Sequence, residues 1–325
     1  MGNRPPPFGT RRCIGSHQPT RGESMQLPDG RRMGFFQSGA PNGTPVVYIH
    51  GTPDSGVQLC GKLEDETAKR LGIRWIGPDR PGIGLSTHKA DRTVLDYPAD
   101  LERLLDHLEL DSTYLLGTSG GAGYTLAAAL RLPRERLLGV GICAGLGPIE
   151  AGLEGVGEAV KRGLDLWREQ PAVVSAALEE SIVPLAKARD LDGMKEALRM
   201  LLGEALTGRD RDAILSDDAL TSAAKGWMQV YMQGAQGHAK DIALNLRPWG
   251  FSIEDVEYSG VKLWYGSRDD NTPPQMGRYM AKRLPEAVYR EFDGESHYTI
   301  WLEGRLDEML KDLLARSRAS DRSGS

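Results

Sequence analysis

The chain has 325 residues, of which 40% are hydrophobic and 26% are charged, as expected for a globular protein with a substantial core. Its 40 basic and 45 acidic side chains give a net charge of -5, which argues against a nucleic-acid partner. Three scattered cysteines are too few for a disulfide framework or a cysteine-rich metal site. No apolar run approaches the roughly 18 residues of a membrane span, so we expect a soluble, cytoplasmic protein.

Both ends of the chain are predicted to be disordered. Residues 1–24 contain four arginines before the first acid, Glu23, a bias shared with mitochondrial transit peptides. The proline run at 5–7 opposes the amphipathic helix that such peptides form, so a disordered leader is the prediction and mitochondrial import stays open. Residues 316–325, rich in Ser and Arg, are predicted to form a disordered tail.

Strands and helices are predicted to alternate over the first half of the chain. A Pro-Asp-Gly turn at 28–30 joins two extended segments and predicts a β-hairpin. Strands are then predicted at 46–49, 73–76, 113–116 and 138–143, with helices at 63–71, after Asp96 and after Ser119. This alternation predicts a mostly parallel, doubly wound α/β sheet that is covered by helices on both faces.

The alternation stops near residue 150. The next hundred or so residues contain helical stretches rich in Ala, Leu, Glu and Met, and no convincing strand. Strand patterns return at 261–265 and 287–291, and a final helix is predicted at 302–315. Helices inserted between two strands of one sheet indicate a cap. The predicted division is an α/β core of residues 25–149 and 251–315 with an inserted helical cap of residues 150–250.

One segment has the pattern Gly-x-Ser-x-Gly, with Ser119 at its centre, between a predicted strand and an alanine-rich helical segment. A serine on a sharp strand-to-helix turn projects from the sheet in a strained conformation, and small flanking residues prevent collisions there. The pattern alone can arise by chance in a chain with 40 glycines. Its assignment as a nucleophile therefore depends on whether suitable partners follow.

A serine hydroxyl needs an adjacent base that is itself oriented by an acid. His297 follows the last predicted strand, in a loop that can reach back to Ser119. Asp269 and Asp270 follow the strand at 261–265, and either carboxylate can orient His297. Because the carboxyl ends of parallel strands share one edge of the sheet, these loops are expected to converge.

The oxyanion of an acyl-transfer reaction needs backbone N–H donors, each worth about 3–4 kcal/mol. Gly120, which follows the nucleophile, is expected to supply one. In the loop after strand 46–49, Thr52 is best placed to supply the second, because Pro53 has no N–H. His50 is expected to brace this loop, and His238 is placed in a polar loop.

With these residues the chain resembles the serine-nucleophile branch of the α/β-hydrolase superfamily over about residues 25–315. The resemblance implies Asp269 as the acid, with Asp270 second, and no metal or organic cofactor. A serine at 119, where dehalogenases and epoxide hydrolases have an aspartate, disfavours both of those activities. Glycine at 120 is expected to leave space above the nucleophile. The matching segments are His50-Gly51, 79–86, 117–121, Gly266-x-x-Asp269 with Pro273, and Gly294-x-x-His297.

Substrate choice in such folds depends largely on the cap, where two groups of residues are candidates. Four aromatic residues either line an apolar pocket or simply pack the cap onto the sheet: Trp167, Trp227, Tyr231 and Trp249. Glu179 and Glu180 either form a solvated helix face or bind a substrate ammonium group. Acidic cap residues have the latter role in the proline iminopeptidases that the chain resembles.

The leading hypothesis is a serine hydrolase of a small or medium apolar ester, lactone or thioester. The second is an aminopeptidase of the proline iminopeptidase type. A third, from another class, is a small-molecule receptor on a hydrolase scaffold with slow or no turnover. Fold analogy does not choose among them, and the sequence leaves the physiological substrate and the oligomeric state open.

Overall fold

The computed structural model describes residues 22–203, 206, 208–302 and 304–315. Most of the predicted leader and the whole predicted tail, 316–325, lie outside these residues. The leader prediction is wrong at its last two positions, Glu23 and Ser24. These residues begin the first strand, because they pair with Phe35 and Gly34 across the predicted hairpin.

The strands of the described residues form one eight-stranded sheet with the order β1-β2-β4-β3-β5-β6-β7-β8. The pairs β1/β2 and β2/β4 are antiparallel and every other neighbouring pair is parallel, which confirms the predicted mostly parallel sheet. The strands are β1 (Glu23–Gln26), β2 (Arg32–Gly39), β3 (Thr44–Ile49), β4 (Ile73–Pro78), β5 (Thr113–Thr118), β6 (Leu137–Cys143), β7 (Lys262–Gly266) and β8 (Val288–Phe292).

Helices cover both faces of the sheet and also form the long connection between β6 and β7. The first half of the chain contains α1 (Lys62–Leu71), α2 (Tyr97–His107) and α3 (Ala122–Arg131). The connection contains α4 (Glu158–Glu169), α5 (Pro171–Ser181), α6 (Val183–Ala188), α7 (Leu191–Gly203), α8 (Gly208–Leu215), α9 (Asp217–Tyr231) and α10 (Gln236–Asn245). The last helices are α11 (Pro274–Ala281) and α12 (Arg305–Leu314).

Alternate side chains of the central strands divide the core into two layers. On β3, Val47 and Ile49 belong to a cluster with α2 and α3, whereas Val46 and Tyr48 belong to a second cluster with α12. Burying one large apolar side chain contributes about 1.5–3 kcal/mol, so the two layers hold the sheet firmly between its helices. The sheet is therefore a rigid platform for the loops at its carboxyl edge.

The helices between β6 and β7 form a third apolar cluster, which also includes Ile83 from the segment after β4. Buried residues of α6, α7 and α9, such as Val183, Met194 and Val230, pack together in it. A separate cluster is what an inserted cap would need, and its bounds of 150–250 stay a prediction.

Candidate active site

Ser119 lies where β5 turns into α3. Its φ of 47° is in the left-handed region, which L-residues with side chains rarely adopt. A Cβ at Gly117 would lie 1.9 Å from Thr125 Oγ1, and one at Gly121 would lie 2.3 Å from the carbonyl oxygen of Ile49. Only glycine fits at these two positions, so the backbone is held in the sharp turn that the sequence pattern predicts.

Asp269 and His297 are brought together by the neighbouring parallel strands β7 and β8. His297 Nδ1 donates to Asp269 Oδ2 at 2.9 Å, and the Asp269 side chain is fully buried. Asp269 Oδ1 accepts from the backbone N–H groups of Asn271 at 2.9 Å and Thr272 at 2.8 Å. A carboxylate only accepts, so the proton of a neutral His297 is on Nδ1 and Nε2 keeps its lone pair for a base role.

The pair also sets the basicity of the imidazole. Burial alone lowers the pKa of His297, but the negative charge of Asp269 and its hydrogen bond outweigh burial and raise the pKa above its usual value. The Thr272 hydroxyl lies 3.0 Å from His297 Nδ1 and donates to the carbonyl oxygen of Ala144 at 2.7 Å. Sequence reasoning missed Thr272. The signal that could have identified it is its position three residues after Asp269.

Asp270, the second candidate for the acid, is exposed. Its backbone carbonyl accepts from Gly157 N at 2.7 Å, and a Cβ at Gly157 would lie 2.8 Å from Asp270 Oδ2. The carboxylate therefore faces the segment that precedes α4. Of the two neighbouring aspartates, it is Asp269 that contacts His297.

Thr52 and Gly120 lie beside each other because β3 and β5 are neighbours in the sheet. A Cβ at Gly120 would lie 2.8 Å from Thr52 Oγ1, and one at Gly51 would lie 3.1 Å from Ser119 Cβ. Among the described residues, the Thr52 N–H has no hydrogen-bond acceptor, as a donor reserved for a ligand requires. The residues predicted for the oxyanion hole are therefore adjacent to Ser119.

Two expectations around Ser119 have different outcomes. The space above the nucleophile is not empty, because a Cβ at Gly120 would lie only 2.6 Å from Asn245 Nδ2, at the end of α10. The expectation of open space at this position is therefore wrong.

Within the described ranges, no hydrogen bond of up to 3.5 Å joins the Ser119 hydroxyl to His297, so their contact stays a prediction.

A buried arginine holds the loop that contains Thr52. Arg80 Nη2 donates to the carbonyl oxygen of Gly51 at 2.7 Å and to Thr52 Oγ1 at 3.1 Å. The Arg80 backbone N–H donates to His50 Nε2 at 3.3 Å, and burial together with the charge of Arg80 lowers the pKa of His50 well below its usual value. His50 is therefore neutral and structural, as expected. The sequence indicates the segment containing Arg80 only as a match to the family, within residues 79–86.

One carboxylate from α10 pairs with two buried arginines. Asp241 Oδ2 accepts from Arg80 Nε at 2.9 Å and Nη2 at 2.7 Å, and Asp241 Oδ1 accepts from Arg92. Arg92 Nη1 also donates to the hydroxyl of Tyr124 at 2.7 Å. Burial alone raises the pKa of Asp241, but the two guanidinium groups outweigh it and lower that pKa below its usual value. The cluster has one more positive than negative charge.

Three of the four predicted pocket aromatics pack against one another or around a histidine. Tyr231 is fully buried, its hydroxyl shares a hydrogen bond of 2.8 Å with His238 Nδ1, and its ring lies 5.4 Å from the ring of Trp227. The ring of Trp167 lies 5.0 Å from His238. The placement of His238 in a polar loop is wrong, because it lies buried in α10, where burial lowers its pKa to about 4. These rings pack the helices together.

Trp249, the fourth aromatic, packs on the sheet side of the molecule. It is buried, and a Cβ at Gly123 in α3 would lie 2.7 Å from its ring. Glu179 and Glu180 are exposed, and Glu179 accepts from the backbone N–H of Ala235 at 2.7 Å. Neither glutamate is therefore enclosed in a pocket that would hold an ammonium group.

Two searches of the described residues are negative. No helix among them combines the length and apolar character that crossing a membrane requires. Nor do three or more His, Cys, Asp or Glu side chains in that part of the chain group as a metal site would need.

The chain is similar to several curated proteins. A 2-hydroxymuconate semialdehyde hydrolase from Pseudomonas is 30% identical over 253 residues, which cover 66% of this chain and 86% of that protein. A proline iminopeptidase from Xanthomonas citri is 37% identical over 109 residues, which cover 33% of this chain and 34% of the peptidase. An acetoin-cleaving dihydrolipoyllysine-residue acetyltransferase component from Pseudomonas putida is 33% identical over 53% of this chain and 47% of its own length. The chain thus spans less than half the length of these last two relatives.

The fold is shared with solved structures and with a family model. An esterase from Rhodococcus superposes with a TM-score of 0.64 at 19% identity, over 91% of this chain and 98% of the esterase. At that identity the likeness shows the fold alone. The family model described as the alpha/beta hydrolase fold matches residues 44–304, which include Thr52, Ser119, Asp269 and His297. The chain therefore belongs to the α/β-hydrolase fold family.

Proposed function

We propose that the protein is a serine hydrolase that cleaves a small or medium apolar ester, lactone or thioester through an acyl-serine intermediate. The observation that carries the proposal is the buried His297–Asp269 hydrogen bond of 2.9 Å at the same sheet edge as the strained Ser119 turn. A related hydrolase that is 30% identical supports a hydrolytic function.

In the proposed mechanism, Ser119 Oγ attacks the substrate carbonyl while His297 Nε2 takes its proton. Asp269 keeps the imidazole in the required tautomer and stabilises the cation that forms. The backbone N–H groups of Thr52 and Gly120 bind the oxyanion. His297 then gives its proton to the leaving group and later activates the water that releases the acyl group.

The cap is proposed to enclose the acyl group. Asn245 at the end of α10 lies over Gly120, next to the proposed nucleophile. Closing a site in this way excludes water and strengthens the electrostatic interactions inside it. The buried rings of Tyr231 in α9 and His238 in α10 support the shape of the cap.

An aminopeptidase of the proline iminopeptidase type is the second candidate, favoured by 37% identity over 109 residues. The exposure of Glu179 and Glu180 does not support it, because an ammonium site needs enclosed carboxylates. The third candidate is a small-molecule receptor that keeps Ser119, Asp269 and His297 but does not turn over a substrate. A pure binder has no need for the strain stored at Ser119, which supports an enzyme instead.

A fluorophosphonate probe tests the nucleophile. We expect covalent labelling of the wild type and none of Ser119→Ala; equal labelling of both, or none of the wild type, would contradict the proposal. A panel of p-nitrophenyl esters, lactones and proline anilides then separates the substrate classes. Preference for the anilides would replace the esterase assignment with the peptidase one.

A further inference from the structure

Two side chains donate hydrogen bonds to the hydroxyl of Thr52. Arg80 Nη2 lies 3.1 Å from Thr52 Oγ1, and Asn245 Nδ2 lies 3.4 Å from it. A threonine hydroxyl has two lone pairs and one hydrogen. Arg80 Nη2 has two hydrogens and also donates to Gly51 and Asp241, both at 2.7 Å, so its contact with Thr52 is shared. Neither nitrogen can accept, so the Thr52 hydrogen points elsewhere. No other described residue accepts it.

The Thr52 hydroxyl lies beside Gly120, the residue that follows Ser119. Thr52 is half-buried, so its hydroxyl is not sealed in the core. A Cβ at Gly120 would lie 2.8 Å from Thr52 Oγ1, which places this oxygen against the residue that follows Ser119. The backbone N–H of Thr52 also lacks an acceptor within the described part of the chain. One residue therefore has two donors, its N–H and its O–H, without an acceptor among the described residues.

We propose that the Thr52 hydroxyl is a third donor to the oxyanion, polarised by Arg80 behind it. The inference rests on the proposed acyl-serine function and adds a catalytic side chain to it. A guanidinium is always charged, and a cation that donates to an oxygen makes the O–H of that oxygen a stronger donor. Asp241 fixes the Arg80 guanidinium through two hydrogen bonds of 2.9 and 2.7 Å.

The donor acts without transferring its proton. As Ser119 Oγ forms the new C–O bond, the π electrons of the carbonyl move to its oxygen, which accepts the hydrogen bond from Thr52. His297 holds the serine proton. When the intermediate collapses, the electron pair returns, the bond to the leaving group breaks, and His297 protonates the leaving group. The Thr52 hydrogen stays on Thr52 throughout.

The rate of fluorophosphonate labelling measures this donor directly, because the phosphoryl oxygen occupies the oxyanion position during attack. Thr52→Val keeps the backbone N–H and the β-branched shape but removes the hydroxyl, whereas Thr52→Ser keeps the hydroxyl. We expect labelling of Thr52→Val to be slower by about 10²-fold, the usual effect of one lost oxyanion donor. Thr52→Ser should stay within a few-fold of the wild type.

Steady-state hydrolysis of a p-nitrophenyl ester provides a second readout. The proposal expects kcat of Thr52→Val to fall with KM nearly unchanged, since the donor acts only on the oxyanion. The proposal would be overturned if Thr52→Val kept the labelling rate and kcat of the wild type. It would also be overturned if Thr52→Ser lost as much of both as Thr52→Val does. If Thr52→Val has a lowered Tm, Thr52→Ala must show the same loss of labelling rate and of kcat. Absence of wild-type labelling would instead sink the proposed function itself.

Discussion

Replacing Asp241 by asparagine should destabilise the protein strongly. The side chain is 2% exposed and is the only described carboxylate in salt-bridge contact with Arg80 or Arg92, which are 0% and 2% exposed. Asparagine keeps the volume but removes the charge, which leaves two like charges buried together. Removing one partner of a buried ion pair costs about 3–5 kcal/mol, and here two cations lose their partner at once. We therefore expect the free energy of unfolding to fall by about 5 kcal/mol.

Urea denaturation at neutral pH, followed by tryptophan fluorescence, measures the free energy of unfolding. Glu291→Gln is the matched control, because it neutralises a carboxylate paired with Arg278, whose side chain is 51% exposed. Solvent screens that pair, so its loss should cost less than about 1 kcal/mol. If Asp241→Asn costs no more than Glu291→Gln, the buried cluster is not held by charge compensation and the reasoning fails.

The pH dependence of the Asp241→Asn effect follows from the lowered pKa of Asp241. A carboxylate with a lowered pKa in the folded state contributes stability above its unfolded value of 3.8, and that stability is lost as the pH falls through the folded value. The difference between the variant and the wild type should therefore be constant from about pH 5 to 8. It should shrink only below 3.8.

Two further variants test the site and the packing around it. Asp269→Asn should lower kcat by about 10⁴-fold and move the acidic limb of the pH–rate profile to lower pH, because the charge that raises the pKa of His297 is gone. Asp270→Asn should stay within a few-fold of the wild type, and a larger loss there would reverse the acid assignment. Gly123→Ala should lower the free energy of unfolding by about 1–3 kcal/mol, because its methyl group would lie 2.7 Å from the ring of Trp249. An unchanged urea midpoint would contradict that packing.

Local patterns predict the sheet and the loops at its edge well. The Gly-x-Ser-x-Gly turn depends only on neighbouring residues, so the position of Ser119 at the end of β5 could be foreseen. Asp269 and Asp270 are adjacent, and sequence alone cannot show which side chain turns toward the last loop. His238 was misplaced because the glycines around α10 resemble a loop, whereas tertiary packing makes the segment helical.

Contacts between distant segments explain the remaining errors. Arg80 and Asp241 are 161 residues apart, and no local pattern connects them. No local pattern connects Asn245 with Gly120 either. Their contact fills the space that the missing side chain of Gly120 was expected to leave open. The same aromatic residue types line pockets and pack cores, so the sequence does not distinguish the two roles. Only the structure shows that Tyr231 and Trp249 are buried.

The insertion of α4 to α10 between β6 and β7 has a consequence for biosynthesis. A ribosome releases β5 with Ser119 long before the strands that carry the proposed acid and base, because synthesis proceeds from the N-terminus. Strand β7 can join β6 through Ile142 and Leu263 only after the intervening helices have been made, and such distant pairing is slow. The nascent chain therefore carries the proposed nucleophile without its proposed base. The proposed hydrolytic chemistry can begin only when the C-terminal strands complete the sheet.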